Sequence, residues 1–350
     1  MKPPAVVLGV GWVAGLAAIR SLGRAGIRVI AVDDRAGALG FRSRYADPRL
    51  APTRRGDAYV AFLRTLDGGV AFPTHDDDLE LLARHAGDLP LTCPFPAWHV
   101  LGPIQDKRHQ VVTAGDAGIS VPRTADAPTG EIGFPALVKP SVDVPRFRST
   151  FGVKAFRCSS REELDAAFAQ AAGYRPLVQE WIPGQDDALW TVGAYIAADG
   201  APLGLFTGRK LRQTPRAIGT ARVAEARWDP ALAEQGLALL RALRFHGIAQ
   251  VEFKRDPRDG VFKLIEVNPR LWEWHGLAAA CGVDLPRIAY LDATGERPAS
   301  VRMHGDGKRW AITLARGAAP ALQRPPYVDA MLAWDDPRPA VVHLARVLRP

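Results

Sequence analysis

The N-terminal stretch from Ala5 to Asp34 constrains the fold most, because it follows the pattern strand, glycine-rich turn, helix, strand. It reads AVVLGVGWVAGLAAIRSLGRAGIRVIAVDD. An apolar run ends at Gly9 and Gly11, aliphatic side chains then recur at helical spacing, and Gly26 stops the helix. Two strands joined in this way form a βαβ unit of a parallel sheet. The sequence therefore predicts an α/β fold.

The same turn carries a glycine motif with two interpretations. Gly9, Gly11 and Gly15 form G-x-G-x-x-x-G, one residue longer than the dinucleotide-binding fingerprint. Asp33, at the end of the second strand, lies where a ribose-binding carboxylate would. An NAD(P)-dependent oxidoreductase is therefore one alternative. A tight turn packed closely against the helix explains the glycines equally well, and the motif alone does not decide between the two roles.

Length and composition limit the remaining classes. The 350 residues exceed what one simple core usually supports, so we expect two or three lobes. No apolar run is long enough to span a membrane, and the N-terminus lacks the pattern of a secretory signal. The three cysteines are far apart and form neither a disulfide framework nor a zinc pattern. These features predict a cytoplasmic protein with no membrane partner.

The net charge of +8 does not predict a nucleic-acid partner. The basic residues are spread along the chain, with no lysine–arginine block and no basic motif interleaved with aromatic residues. The 45 basic residues comprise 37 arginines and only 8 lysines. Lys107, Lys139, Lys154 and Lys210 are half of those few lysines, and each lies in a segment that matters below.

Two adjacent strands, GIAQVEFKRD and VFKLIEVN, are predicted to form a hairpin with a polar face. Alternate residues of a strand point to the same side, so Glu266 and Asn268 share a face. If even-numbered residues pair with even-numbered residues, Glu252 joins them, whereas a slip of one residue would separate them. Two carboxylates and an amide oxygen suit a hard cation, Mg²⁺ or Mn²⁺. A solvated sheet face is the alternative.

Four motifs, VKP, QEWIPG, VEFKRD and EVNPR, follow one another along the chain. In their order the chain resembles the ATP-grasp enzymes over most of residues 1–290, and most closely the predicted "carboligase" branch of that family. The resemblance implies an N-terminal Rossmann-like parallel-sheet domain followed by two α+β lobes that clasp ATP. The expected ranges are 1–105 for the first domain, 106–185 for the small lobe, 186–300 for the lobe with the metal site, and 301–350 for a tail without an assigned role.

The resemblance also implies an ATP site. Lys107 and Lys139 would neutralise the phosphates, and the segment RSTFGVK, which contains Gly152, would be a flexible loop folded over them. Asp186 or Asp187 would bind the ribose hydroxyls. The residues expected around the adenine are Gln179, Glu180, Trp181 and Ile182.

Metal and catalytic roles follow from the same resemblance. Glu252, Glu266 and Asn268 match the metal ligands, and Arg270 matches an arginine that contacts phosphate. Lys210, in a polar loop from Arg209 to Ala221, would be a further phosphate contact. D-Alanine–D-alanine ligases carry an arginine two residues before the first metal acid, where this chain has Gln250. The candidates for supplying that charge are Arg270, Arg222 and Arg209.

The implied activity is that of a ligase that uses ATP to join a small-molecule carboxylate to an amine, or less typically to a thiol. A non-catalytic ATP-binding protein on the same fold is a second alternative, and a homodimer is compatible with the family. Trp272, Trp274 and His275 follow the metal strand, where an acceptor pocket could lie, although we expect packing roles for them. His75, at a strand end, is a further candidate for substrate contact.

Overall fold

The computed structural model describes residues 2–142, 144–313 and 327–347. The described chain contains three sheets, and the helices pack against them or between them. None of the helices in these ranges is both long and apolar enough to cross a membrane.

The first sheet is parallel and has the strand order β3-β2-β1-β4-β5. Its strands are β1 (Ala5–Leu8), β2 (Val29–Asp33), β3 (Ala46–Leu50), β4 (Gly69–Pro73) and β5 (Leu91–Thr92). The helices of this part are α1 (Val13–Arg24), α2 (Gly56–Arg64), α3 (Asp76–Arg84) and α4 (Trp98–Gln105). Strands β1, β2 and β4 are buried throughout, as expected when helices cover both faces of a parallel sheet. The βαβ unit predicted from the glycine-rich turn is confirmed.

The second sheet is small and antiparallel, with the order β6-β9-β7-β8. Its strands are β6 (Thr124–Ala125), β7 (Ala136–Lys139), β8 (Phe156–Cys158) and β9 (Leu177–Glu180). Its helices are α5 (Lys107–Asp116), α6 (Val144–Phe151) and α7 (Arg161–Gln170).

Helix α6 corrects one expectation. The segment RSTFGVK was expected to be a flexible loop, but its first four residues complete this helix, and Gly152 follows the helix with φ +72°. The reason is packing, because Phe147 and Phe151 lie one turn apart and contact each other at 4.8 Å between ring centroids. Both rings also pack against Tyr174, so the segment buries an aromatic face that keeps it helical.

The third sheet has the order β14-β13-β10-β11-β12-β16-β17, and β15 pairs with β11. Its longer strands are β10 (Leu189–Ile196), β11 (Pro202–Thr214), β12 (Thr220–Ala226), β13 (Gly247–Arg255) and β14 (Phe262–Asn268). Its shorter strands are β15 (Val301–Arg302), β16 (Arg309–Ala311) and β17 (Tyr327–Asp329). The accompanying helices are α8 (Pro230–Ala242), α9 (Gly276–Ala280), α10 (Leu285–Ala293) and α11 (Arg338–Val347).

The polar segment that contains Lys210 is a strand and not the expected loop. Strand β11 continues to Thr214 and pairs with β12 in an antiparallel ladder with two register shifts. Polar residues are tolerated here because one face of this strand looks into a cleft instead of an apolar core. Lys210 is therefore held on a rigid element.

The C-terminal region, to which the sequence analysis assigned no role, contacts both the third sheet and helix α1. Strands β16 and β17 extend the third sheet. Arg20 of α1 is buried and donates from Nε to Asp336 Oδ2 at 2.9 Å and from Nη2 to the carbonyl oxygen of Met331 at 2.8 Å. This buried pair connects the residues just before α11 to the first domain.

Candidate functional site

The hairpin of β13 and β14 has the predicted register. Glu252 lies opposite Glu266, and Gln250 lies opposite Asn268, so even-numbered residues face one another. A shift directly after Glu252 pairs Phe253 with Leu264, and this irregularity leaves the pairing of the two acids intact. Glu252 is 7% exposed, and the side chain of Glu266 is 23% exposed. The pairing brings two carboxylates and an amide to one cleft wall.

Four lysines approach these acids from other elements. Lys107, at the start of α5, places Nζ 2.6 Å from Glu266 Oε2, and Lys210 of β11 places Nζ 2.7 Å from Glu252 Oε1. Lys139 of β7 and Lys154 line the same cleft. Neither of these two makes an ion pair within 4.0 Å among the described residues. Lys139 and Lys154 are therefore cations whose charge is not matched by direct contact with an acid among the described residues.

The charges of the cleft perturb one another. Burial by itself would raise the pKa of Glu266, but Lys107 and Lys154 outweigh it and hold that pKa well below its usual range. Burial, reinforced by the neighbouring charge of Lys107, lowers the pKa of Lys139 to about 8. Burial also lowers the pKa of Lys154. A polyanion that entered the cleft would relieve the mutual repulsion of these lysines.

The rest of the cleft lining is mostly apolar. It comes from β7, the end of β9 and the residues that follow it, β10, the turn after β11 and β13; the lining residues there are Leu137, Gln179, Glu180, Trp181, Ile182, Leu189, Ala217, Ile218 and Lys254. Lys254 lies 4.8 Å from the centroid of the Trp181 ring, and Arg157 lies 4.7 Å from the same centroid. An apolar slot continuous with a cationic region matches a ligand that has a flat ring at one end and phosphates at the other.

The side chain of Glu180 has a structural environment. Its carboxylate forms ion pairs with Arg258 and Arg123, and Arg258 also pairs with Asp256. The hydrogen bond from Arg258 and the backbone bond at Arg123 overcome the effect of burial and lower the pKa of Glu180. This acid connects the end of β9 to the β13–β14 turn. Because its carboxylate is engaged in these ion pairs, we expect any contact of Glu180 with a ligand to come from its backbone.

Three expected ATP contacts do not line the cleft in this structure. Asp186 accepts hydrogen bonds from the backbone and side-chain nitrogens of Gln213 at 3.0 and 2.9 Å, and from the backbone of Ala217 at 3.1 Å. It braces the β11–β12 turn, whereas Asp187 is exposed. Gly152 is exposed as well, and a Cβ at this position would meet nothing within 4 Å. Among the described lining residues, none is one of these three.

Arg270 is bound to the first domain. Its Nε and Nη2 donate to the two carboxylate oxygens of Asp76 at 2.6 and 2.9 Å, and Nη2 lies 3.5 Å from Asn268 Oδ1. Asp76 and this bidentate pairing outweigh burial and raise the pKa of Arg270. The expected arginine is therefore next to the expected metal ligand, held in place by the first turn of α3.

The glycine-rich turn is filled by the protein's own side chains. A Cβ on Gly9 would meet His75 and Thr74, a Cβ on Gly11 would overlap the guanidinium of Arg35, and a Cβ on Gly15 would lie 2.6 Å from the Cα of Val10. Arg35 also donates from Nε to Asp33 Oδ1 at 3.1 Å. The guanidinium of Arg35 and the side chains packed against the turn occupy the space that a dinucleotide pyrophosphate would need. This supports the structural interpretation of the glycines.

The aromatic residues after β14 belong mainly to the core. Trp272 and Trp274 are 2% and 1% exposed, and their rings meet edge to face at 6.1 Å. His275 is 1% exposed, its Nε2 lies 3.0 Å from the carbonyl oxygen of Ala14, and burial lowers its pKa. The expected packing roles are confirmed.

His75 differs from these residues, because it lies at the carboxyl end of β4 beside Gly9. Burial of the imidazole, together with the charges of Arg54 and Arg270, lowers the pKa of His75 to about 4. It is thus neutral at physiological pH.

The sequence did not single out Trp12, Lys254 or Glu273. Lys254 lines the cleft, and Trp12 and Glu273 contact each other next to the end of β14. Glu273 accepts a hydrogen bond from Trp12 Nε1 at 2.7 Å, and Arg222 Nη1 lies 3.6 Å from the same oxygen. The sequence signal that could have identified Glu273 was the alternation after Arg270, where this acid separates two tryptophans, Trp272 and Trp274, that face the core.

Comparison with known proteins agrees with this geometry. Residues 221–298 match the family model described as carbamoyl-phosphate synthase L chain, ATP binding domain. The chain is 30% identical over 173 residues to a D-aspartate ligase of Enterococcus faecium. That match covers 47% of this chain and 41% of the relative, so the chain spans less than half the length of this ligase.

Solved structures show the same architecture. A biotin carboxylase–β,γ-ATP complex of Campylobacter jejuni superposes with a TM-score of 0.66 at 18% identity, covering 84% of this chain and 71% of that one. An L-amino acid ligase of Bacillus licheniformis gives a TM-score of 0.63 at 16% identity, covering 84% and 75%. The chain therefore has the ATP-grasp fold, and the resemblance to carboxylate–amine ligases that its motifs predicted is confirmed.

Proposed function

We propose that this protein is an ATP-dependent ligase that activates a carboxylate as an acyl phosphate and joins it to an amine, releasing ADP and phosphate. The observation that carries the proposal is the meeting of Glu252, Glu266 and Asn268 with four lysines in one cleft whose remaining lining is mostly apolar. A D-aspartate ligase among the relatives and an L-amino acid ligase among the structural neighbours point in the same direction.

The oxygen donors fit magnesium or manganese. Glu252, Glu266 and Asn268 offer carboxylate and amide oxygens without a histidine or thiolate, which is the donor set of a hard cation. Lys107 and Lys210 now neutralise the two acids, and they would turn to phosphate oxygens when a cation takes their place. A bound divalent cation would supply neutralisation of the negative charge on the ATP phosphates.

ATP would lie along the cleft with its base in the apolar slot. Gln179, Glu180, Trp181 and Ile182 would surround the adenine, and Lys107, Lys139 and Lys154 would hold the phosphates. The ribose contact proposed for Asp186 or Asp187 requires either acid to leave its present position. Asp187 is the more available of the two, since Asp186 accepts three hydrogen bonds.

Catalysis would rest on positioning and charge. The γ-phosphoryl group passes from ATP to a carboxylate oxygen of the first substrate, a transfer that lysines promote by neutralising negative charge. The acyl phosphate then reacts with the amine. Arg270, fixed by Asp76 beside Asn268, would stabilise the tetrahedral oxyanion, with Lys210 and Arg222 as further cations near the reacting centre. Arg209 is engaged by Glu225 at 2.9 Å, which makes it the weaker candidate.

An enzyme is favoured over a non-catalytic ATP-binding protein because both acids and all four lysines are present in one cleft. The substrates would be a small-molecule carboxylate and a small-molecule amine. A homodimer and a cytoplasmic location stay predictions from the sequence.

Thermal unfolding with ATP and magnesium, and separately with NADH and NADPH, tests the binding half of this proposal. A ligand at about 100 times its Kd adds roughly 2.7 kcal/mol, enough to shift the midpoint visibly. A magnesium-dependent shift with ATP is expected, followed by ADP release when amino acids are screened as carboxylates and amines. A shift with a nicotinamide cofactor and none with ATP would replace the ligase by the oxidoreductase alternative.

A further inference from the structure

We propose that Glu273 binds the amine substrate and accepts its proton, while Trp12 and Arg222 hold the carboxylate in position for this task. The inference rests on the ligase function proposed above and adds to it a catalytic residue for the second half of the reaction.

Glu273 stands apart from its neighbours in the chain. Leu271, Trp272, Trp274 and His275 are 1–2% exposed and pack in the core, whereas the Glu273 side chain is 17% exposed. This alternation turns one acid away from the core just after the strand that carries Glu266 and Asn268. An acid surrounded by buried aromatic residues has no stabilising role of its own in packing.

The contacts of Glu273 come from two separate parts of the fold. Trp12, the residue before α1, donates its indole N–H to Oε1 at 2.7 Å. Arg222 of β12 places Nη1 3.6 Å from the same oxygen. The second oxygen, Oε2, has no hydrogen-bond partner within the described ranges, and neither has Arg222 Nη1. One oxygen is thus fixed, and the other is buried without a donor from the described residues.

The charged neighbours of Glu273 include two lysines of the cleft. Burial raises the pKa of Glu273, while the Trp12 hydrogen bond and the charges of Arg222, Lys154 and Lys210 oppose that rise. Lys154 and Lys210 are lining residues of the cleft, and Lys210 pairs with Glu252. The cations of the cleft therefore act on Glu273, which follows the strand that carries Glu266 and Asn268.

The chemistry of the second step needs such a group. A primary amine arrives as an ammonium ion at neutral pH, and it must lose a proton before its lone pair can attack. In the proposed step the ammonium gives one proton to Glu273 Oε2. The amine nitrogen forms the C–N bond to the acyl carbon, the C–O bond to phosphate breaks, and the second proton leaves with the departing phosphate. A carboxylate both attracts the cation and takes the proton.

Hydroxylamine separates this role from the first half of the reaction, because it is already neutral at neutral pH and needs no base. We would incubate the full chain with ATP, magnesium and D-aspartate, then with the other amino acids as carboxylates, and measure hydroxamate with hydroxylamine and amide with ordinary amino acids. In Glu273→Gln, amide formation should fall by about 100-fold or more, and hydroxamate formation by less than about 10-fold.

Two further variants complete the design. Trp12→Phe keeps the ring but removes the indole donor, so amide formation should fall by roughly 10-fold with hydroxamate formation less affected. Glu234→Gln removes an acid whose side chain is 66% exposed on α8, and both products should form at the wild-type rate. If Glu273→Gln does not fold, the split between the two products in Trp12→Phe decides the question.

The outcomes are distinct. Equal loss of hydroxamate and amide in Glu273→Gln, with the ATP-dependent thermal shift retained, would assign Glu273 to the first step and overturn the proposal. Wild-type amide formation in that variant would overturn it as well. Absence of hydroxamate from the wild-type protein with every carboxylate would instead remove the ligase function.

Discussion

The β13–β14 hairpin and the glycine-rich turn after β1 both carry motifs that indicate a nucleotide, yet the structure treats them differently. At the hairpin, Lys139 and Lys154 face the acids across a cleft without a direct acidic partner among the described residues. At the turn, Arg35 pairs with Asp33, and the glycines make room for side chains of the same protein. A ligand site is thus recognised by charges that the protein leaves unmatched, and a motif whose space is already filled indicates packing.

Glu266→Gln should have the largest effect on activity. The change keeps the shape of the side chain but removes a carboxylate that would hold the divalent cation, so turnover should fall by about 10³-fold or more. The magnesium-dependent part of the ATP thermal shift should disappear while the protein stays folded. Glu234→Gln, on an acid of α8 whose side chain is 66% exposed, is the matched control. Wild-type ADP release in Glu266→Gln would remove the proposed metal site.

Lys139→Met should weaken ATP binding more than it affects folding. A charge-assisted hydrogen bond contributes about 1.5–3 kcal/mol, which corresponds to a loss of about 10- to 100-fold in affinity. Because Lys139 is repelled by Lys107 in the free protein, its removal should not lower the thermal midpoint measured without ATP. Isothermal titration of both proteins with ATP and magnesium measures the difference. Unchanged affinity would move the phosphates away from β7.

The same lysine predicts a pH dependence of ATP affinity. In the free protein the pKa of Lys139 is about 8, and bound phosphates would raise it. ATP binding above pH 8 is therefore coupled to the uptake of a proton by Lys139. The affinity for ATP should be highest below pH 8 and should fall as the pH rises above it, by up to about tenfold per pH unit. Titrations from neutral to alkaline pH should show a shallower fall in Lys139→Met. An identical slope in both proteins would mean that another group takes up the proton.

Gly15→Ala tests the packing side of the comparison. The new Cβ would lie 2.6 Å from the Cα of Val10, so backbone must move, and we expect a loss of about 1–3 kcal/mol in the free energy of unfolding. ATP affinity should be unchanged. Gly115→Ala in α5, where a Cβ meets nothing within 4 Å, should instead stabilise the protein by about 0.5–1 kcal/mol. Denaturant unfolding of both variants provides the measurement.

The sequence predicted the parts of the molecule that obey local periodicity. Alternation on β13 and β14 was enough to place Glu252 opposite Glu266, because a register slip would have exposed Val251 and Val267. The sequence analysis wrongly assigned Lys210 to a loop, because a strand whose polar face borders a cleft has an amino-acid composition similar to that of a loop. The sequence analysis also predicted a loop where α6 forms. This helix is stabilised because Phe147 and Phe151 pack on each other and on Tyr174, which lies outside the helix and later in the chain.

Glu273 was missed for a different reason. Its significance depends on Trp12 and Arg222, which lie 261 and 51 positions earlier in the chain, and no local pattern reports such contacts. The same holds for Asp76, whose pairing with Arg270 joins α3 to the end of β14. Local patterns therefore identified the residues proposed to bind the nucleotide better than those that join the first domain to the end of β14.

Gly11→Ala should have the smallest effect and separates the two interpretations of the turn. Its Cβ would displace mainly the guanidinium of Arg35, the flexible end of a side chain that is 61% exposed. The reduced flexibility of the unfolded chain offsets part of the crowding, so stability should change by less than about 1 kcal/mol. ATP affinity should equal that of the wild type. If Gly11 instead bordered a bound dinucleotide, the wild-type protein would bind NADH and the alanine variant would not, a result that direct titration with NADH would reveal.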